Sequence, residues 1–211
     1  VITWHVLAVE GSRVLLISEK GLDCKPFNED YRQGNGWSTS DLRAWLNGSF
    51  KGSAFSAEQQ ARIAEVTCLS VDEADRYFSG GNDRRCYPTA YAEAQGAYVR
   101  SSGVCDWWLR SPGRHGSECA AYIYDDGYFN TLGYYVDYDD FAVRPALRLS
   151  LYDKKASKKQ ATRTFTYAEQ KELEDEVIDK VLSSHVRCFV SLFLFFLFLQ
   201  FQKVCDVVNC W

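Results

Sequence analysis

Residues 106–151 read DWWLRSPGRHGSECAAYIYDDGYFNTLGYYVDYDDFAVRPALRLSL. Four runs within it, DWWLRS (106–111), AAYIY (120–124), GYYVDY (133–138) and FAVRPALRLSL (141–151), are apolar or aromatic and are punctuated by Gly113, Gly116, Gly127 and Gly133. Short apolar runs broken by glycine are the pattern of antiparallel strands joined by turns. At the other end of the chain, VITWHVLAV (1–9) and RVLLIS (13–18) flank Glu10-Gly11-Ser12, a hairpin signal in which glycine takes a positive φ.

Between these strand-rich ends lie three helix starts. Ser40 is placed to cap a helix that carries Leu42, Trp45 and Leu46 on one face and ends at Gly48. Ser56 and Gln59 form a capping box that leads a helix through Ile63, and Ser70 with Glu73 forms another ahead of DEADRYF. Strands, then short helices, then strands imply an α+β domain rather than a parallel βαβ sheet. Residues 1–152 are therefore expected to form one domain.

The remaining residues, 153–211, differ in composition. A Lys-rich polar linker turns into a charged amphipathic helix, and CFVSLFLFFLFLQFQ follows, 15 uncharged residues between Arg187 and Lys203. That run is shorter than the roughly 20 residues a bilayer-crossing helix needs. A truncated membrane anchor, a non-native reading frame and a partner-binding helix are the competing readings of this tail. The chain lacks Met and opens inside an apolar run, so residues ahead of Val1 are expected, which leaves room for a signal peptide. A cell-surface or extracellular location is favoured over a cytoplasmic one.

With 24 Lys+Arg against 28 Asp+Glu the net charge is -4, and residues 1–152 alone carry -5. An acidic domain disfavours nucleic acid as a partner. Five of the eight cysteines, Cys24, Cys68, Cys86, Cys105 and Cys119, lie in the domain, so at least one cannot pair within it. There is no CxxC, and Cys205 and Cys210 stand too far from histidine for a zinc site, so buried thiols are the simplest reading.

Candidate catalytic groups are few. The histidines are His5 beside Trp4 in the first strand, His115 on a glycine loop, and His185 in the tail. Asp106, Ser111 and His115 invite comparison with a triad, but no GxSxG turn surrounds the serine. Asp125-Asp126 and Asp137 to Asp140 offer hard oxygen ligands without the spacing of a calcium loop. Gly34-Asn-Gly36 is a turn rather than a phosphate loop. Neither a cofactor nor a catalytic residue is assigned.

Residues 122–141 concentrate six Tyr, five Asp, two Phe and one Asn, with no Lys or Arg. Buried carboxylates are costly, so a core strand would not gather them. Tyrosine gives a large contact area for little rotamer entropy, with Asp and Asn as adjustable acceptors beside it, which is the chemistry of recognition loops. A solvent-facing hairpin with tyrosine ladders is the structural alternative.

The stretches ITWHVL (2–7), LLIS (15–18), LDCKPFN (22–28), WSTSDLRAWLN (37–47), AFS (54–56), LSVDEADRYF (69–78), RCYPTAYAEAQGAY (85–98), WWLRSPG (107–113) and VRPAL (143–147) occur in this order. Over nearly all of residues 1–151 the chain strongly resembles the bacterial family called domain of unknown function 6273. It departs from that family in a shorter passage between Ile63 and Leu69 and beyond Leu151. In its closing motif the family is similar to the C-type-lectin-like variable proteins of diversity-generating retroelements, where an LRS-G segment and an RPA segment bracket a diversified region.

That resemblance implies a C-type-lectin-like fold. It makes Trp107, Leu109, Arg110, Ser111, Gly113, Arg144, Pro145 and Ala146 scaffold. The implied ligand-binding surface is Tyr122, Tyr124, Asp125, Asp126, Tyr128, Phe129, Asn130, Tyr134, Tyr135, Asp137, Tyr138, Asp139 and Asp140. The sugar-binding calcium motifs of animal lectins are absent. Formylglycine-generating enzymes share the fold class, but their paired cysteines have no evident counterpart. The expectation is a non-catalytic module that recognises a protein or glycan. A structural cell-surface module and an enzyme of the formylglycine-generating kind are the alternatives.

Overall fold

A computed structural model describes residues 1–151. The linker, the charged helix, the uncharged segment, His185, Cys205 and Cys210 lie outside the described residues. The opening hairpin is β1 (Trp4–Glu10) and β2 (Arg13–Ser18), with Gly11 at φ 58° in its turn. After β3 (Asp23–Cys24) and two single 3-10 turns, Ser40 accepts the Arg43 amide and starts α1 (Asp41–Trp45).

The helix does not end at Gly48. It continues through a π turn (Leu46–Phe50) into α2 (Lys51–Ala54). The amide of Lys51 donates to the carbonyl of Leu46, five residues back, and Leu42, Leu46 and Phe50, spaced four apart, are buried together. Gly48 is not among the glycines with positive φ, which removes the usual reason for a stop there.

Both capping boxes form, opening α3 (Ala57–Arg62) and α4 (Val71–Tyr77). Ile63 belongs not to a helix but to β4 (Ile63–Thr67), a strand whose short sequence carried no local signal. Two further helical turns follow, α5 (Gly81–Arg84) and α6 (Ala90–Ala94), beyond the three helices expected. The closing strands are β5 (Trp107–Pro112), β6 (Cys119–Ile123), β7 (Phe129–Tyr135), β8 (Ala142–Val143) and β9 (Ala146–Ser150).

The fold is α+β, with two largely antiparallel sheets and short helices. One sheet has the order β1-β2-β9-β4, the other β3-β8-β5-β6-β7, and the pairing of β5 with β8 at Trp107 and Ala142 is parallel. The single strand expected over 141–151 is thus two strands in two sheets, parted at Arg144-Pro145. Proline has no amide to extend a ladder. Arg144 is buried and donates to the carbonyls of Ser18, Glu19, Arg84 and Arg85, so its guanidinium satisfies the backbone left over where the chain crosses.

The LRS-G segment has an equally specific part. Trp108 pairs with Tyr122 and Pro112 with Ala120, so β5 holds extra residues opposite β6 and bulges. Leu109 stays buried, Arg110 turns to the carboxylate of Glu73, and the Ser111 hydroxyl accepts the amide of Val71 at 3.0 Å. The bulge therefore docks β5 onto α4.

Candidate recognition surface

The strand expected over 133–138 runs instead over 129–135, because the hairpin turn lies at Asp125-Asp126-Gly127. Gly127 adopts φ 86° and its amide donates to Tyr124, while Tyr124 donates to Tyr128 at 2.9 Å. The Asp126 side chain accepts the amide of Tyr128. A side chain at Gly127 would collide with the carbonyl of Gly81, since α5 rests directly against this turn. Arg84 adds a bond from Nε to the Gly127 carbonyl at 2.8 Å and lies over the ring of Phe129.

A second bulge lies in β7, where Asn130 pairs with Tyr122 and Tyr134 with Ala120. Asn130 is its pivot. Its Oδ1 accepts the amide of Gly133 at 2.9 Å, and its Nδ2 donates to the phenol oxygens of Tyr122 and Tyr124 at 3.0 and 2.6 Å. Gly133 sits at φ 90° with the Ala120 carbonyl in the way of any side chain.

The rings form a chain from the core to water. Phe27 and Phe141 pack on Trp108, with centroids 6.0 and 4.5 Å away, and Tyr122 lies 4.6 Å from Phe141. From there Tyr122 meets Tyr124 at 4.8 Å, and Tyr134 and Tyr138 each lie 5.7 Å from Phe141 and 4.6 Å from one another. Edge-to-face contacts of this kind fix ring orientation as well as burying area.

Of the expected surface residues, Asp126, Tyr128, Tyr134, Tyr135, Asp137, Tyr138 and Asp139 are exposed. Tyr124, Asp125, Phe129, Asn130 and Asp140 are half-buried, and Tyr122 is buried. Two of these stand apart. Tyr122 is the floor of the cluster, with its hydroxyl held by Asn130 and burial pushing its ionisation upward. Phe129, paired with Ile123, packs against the core on the opposite face of the sheet.

Residues outside the tyrosine-rich window border it. The amide of Tyr98 donates to the Asp140 carbonyl, and Tyr98 is 54% exposed beneath the Arg100 guanidinium. Arg100 lies 3.9 Å from Asp106 and 3.8 Å from Asp125, and Asp106 accepts the amide of Asp125. Burial of Asp106, opposed by that amide and by Arg100, pushes its carboxyl up to about 6. Asp140 is raised as well, by burial and by Asp139, and its carboxylate in turn raises the phenol of Tyr138. Tyr98 and Arg100 come from a loop some thirty residues upstream, and the contacts with Asp140 and Asp125 attach them to the surface.

The triad residues are engaged elsewhere: Ser111 with Val71, Asp106 with Asp125 and Arg100, and His115 through its amide with Leu132. Among the described residues no three His, Cys, Asp or Glu side chains are arranged to hold a metal ion.

A family model described as domain of unknown function (DUF6273) matches residues 11–93 and 72–151. The chain belongs to the DUF6273 family. The two matches overlap over 72–93 and together take in the bulged strands β5 and β7 and the Arg144-Pro145 crossing of this DUF6273 domain. No curated protein and no solved structure matches the chain.

Proposed function

We propose that this DUF6273 domain is a non-catalytic recognition module of C-type-lectin-like fold, whose β6–β7 hairpin and 136–140 loop present tyrosines and aspartates to a protein or glycan. The observation that carries this reading is the aromatic chain. Rings rooted on buried Trp108 reach water at Tyr134 and Tyr138, which are 37% and 40% exposed, with Tyr135 beside Tyr134 at 50% and Tyr128 at the hairpin turn at 68%. Rigid aromatic area next to carboxylate acceptors is what makes a few residues dominate binding. Arg100, a cation bordering the surface, is occupied by Asp106 and Asp125, so a basic partner surface is favoured.

The position of this surface between the LRS-G bulge and the Arg144-Pro145 crossing supports a further part of the same proposal, diversification of the kind found in retroelement variable proteins. Both brackets are held by contacts that do not involve the exposed tyrosines, so those tyrosines can change without disturbing the frame. A near-copy of the 107–145 coding segment beside a reverse transcriptase is the expected genomic signature. Related genes that drift evenly over the whole domain would count against it.

Binding is tested by screening the purified full chain on protein and glycan arrays and then measuring Kd for the best ligand. A variant carrying Tyr128→Ala, Tyr135→Ala and Tyr138→Ala is expected to lose at least tenfold in affinity with its Tm within a few degrees of the parent. Affinity retained in that variant would remove the tyrosines from the proposed role. The second reading, a structural module, is favoured by the bonds that Asn130 gives Tyr122 and Tyr124, since they stabilise the hairpin whether or not a ligand exists.

A further inference from the structure

Cys86 and Cys105 face one another. They form an isolated antiparallel bridge in which the amide of Cys105 donates to the carbonyl of Cys86 at 2.9 Å, and the Cys105 thiol lies 3.4 Å from the same oxygen. Both are fully buried in the core that contains Trp107 and Ala142. Cross-strand partners of an antiparallel pair hold their Cα atoms roughly 4.5–5.5 Å apart, inside the range a disulfide spans.

Their surroundings differ from those of the other three domain thiols. Burial pushes Cys68 up to about 12, and burial together with Asp140 and Asp139 does the same to Cys24. Cys119 is also raised by burial. Beside Cys86 and Cys105 stands Arg144, a buried cation whose bonds go to backbone carbonyls. Burial disfavours the Cys86 thiolate, but the neighbouring Cys105 thiol and the Arg144 guanidinium favour it, so Cys86 is lowered and Cys105 raised.

We propose that Cys86 and Cys105 are joined as a cross-strand disulfide when the domain meets a disulfide oxidant. The Cys86 thiolate attacks one sulfur of a glutathione-type disulfide and expels one thiolate. Cys105, losing its proton, then attacks the Cys86 sulfur of that mixed disulfide and expels the second. Two protein thiols are oxidised and one external disulfide is reduced to two thiols. Since both residues are fully buried, exchange takes place before the 86–105 segment closes or on its local opening. The crosslink closes a loop of eighteen intervening residues that carries Tyr98 and Arg100, and does not depend on what the tyrosine surface binds.

The test uses the full chain refolded with glutathione disulfide, alkylated under denaturing conditions and digested with trypsin without reduction. The expected product links Cys86–Arg100 to Ser101–Arg110, is about two hydrogens lighter than the sum of the two peptides, and separates on reduction. The oxidised chain is expected to melt roughly 5–10 °C above the reduced one, with no such difference in Cys105→Ser. Recovery of both peptides alkylated, or of Cys86 joined to any other cysteine, overturns the proposal. The peptide map decides it even where the serine variant does not fold.

Discussion

Trp107 and Trp108 are neighbours in the chain and are both fully buried, yet they lie on opposite faces of one sheet and end in different kinds of surroundings. Trp107 donates its indole N–H to the Arg84 carbonyl, lies under the Arg144 guanidinium and packs with Leu109, Ile123 and Ala142, all fully buried. Trp108 donates to Lys25 and passes its contacts through Phe141 and Tyr122 to tyrosines that reach water. The two faces show that one aromatic-rich segment can serve as core and surface within a few residues. A ring whose inner edge packs on a buried neighbour can leave its hydroxyl edge in solvent.

Breaking the sealed face should have the larger consequence. Trp107→Ala is expected to cost about 3–5 kcal/mol, because it empties a large buried site and strands the ring contacts of Arg144, and urea unfolding would measure it. Gly127→Ala is expected to cost about 2–3 kcal/mol. The added methyl meets the Gly81 carbonyl and the residue must hold φ 86°, so both the hairpin turn and its seat on α5 suffer. Asn130→Ala on the open face should cost about 1–2 kcal/mol, since it leaves a backbone amide and two phenols without their partner.

The last effect sharpens the comparison through pH. Because Asp106 is raised to about 6, the folded domain holds its proton more tightly than the unfolded chain. Stability from this group is fully present below about pH 3.8, its ordinary value, and is lost as pH rises through about 6. Asp106→Asn keeps an oxygen for the Asp125 amide and removes the charge. Its stability relative to the parent is therefore expected to rise by about 1–3 kcal/mol between pH 4 and pH 7. Thermal melts across that interval would show it, and a difference independent of pH would contradict the assignment.

Much of the fold was legible where the signal is local. Ser40, Ser56 and Ser70 cap the helices they were expected to cap, and Gly11 turns the first hairpin, because each interaction spans only a few residues. The strand over Ile63–Thr67 was not legible, since IAEVT is short and only its pairing with β9 makes it a strand. Nor was the position of β7, which depends on the Gly127 turn pressing against α5. The residues of the candidate surface were legible as a composition, but not their depth. Tyr122 and Tyr124 look alike in YIY, and only the ring of Phe141 beneath Tyr122 separates floor from rim.

The amino-acid sequence by itself determined the α+β class, the helix starts, the glycine turns and the segment in which tyrosine and aspartate are concentrated, because capping, turn conformation and composition are short-range properties. Tertiary structure alone decided that the run around Arg144-Pro145 serves two sheets, that Phe129 faces the core, that Tyr98 and Arg100 border the tyrosines, and that Cys86 meets Cys105. Each of these is a meeting of residues distant in the chain. Which partners meet is set by how whole elements pack, and the residues that meet carry no local trace of it.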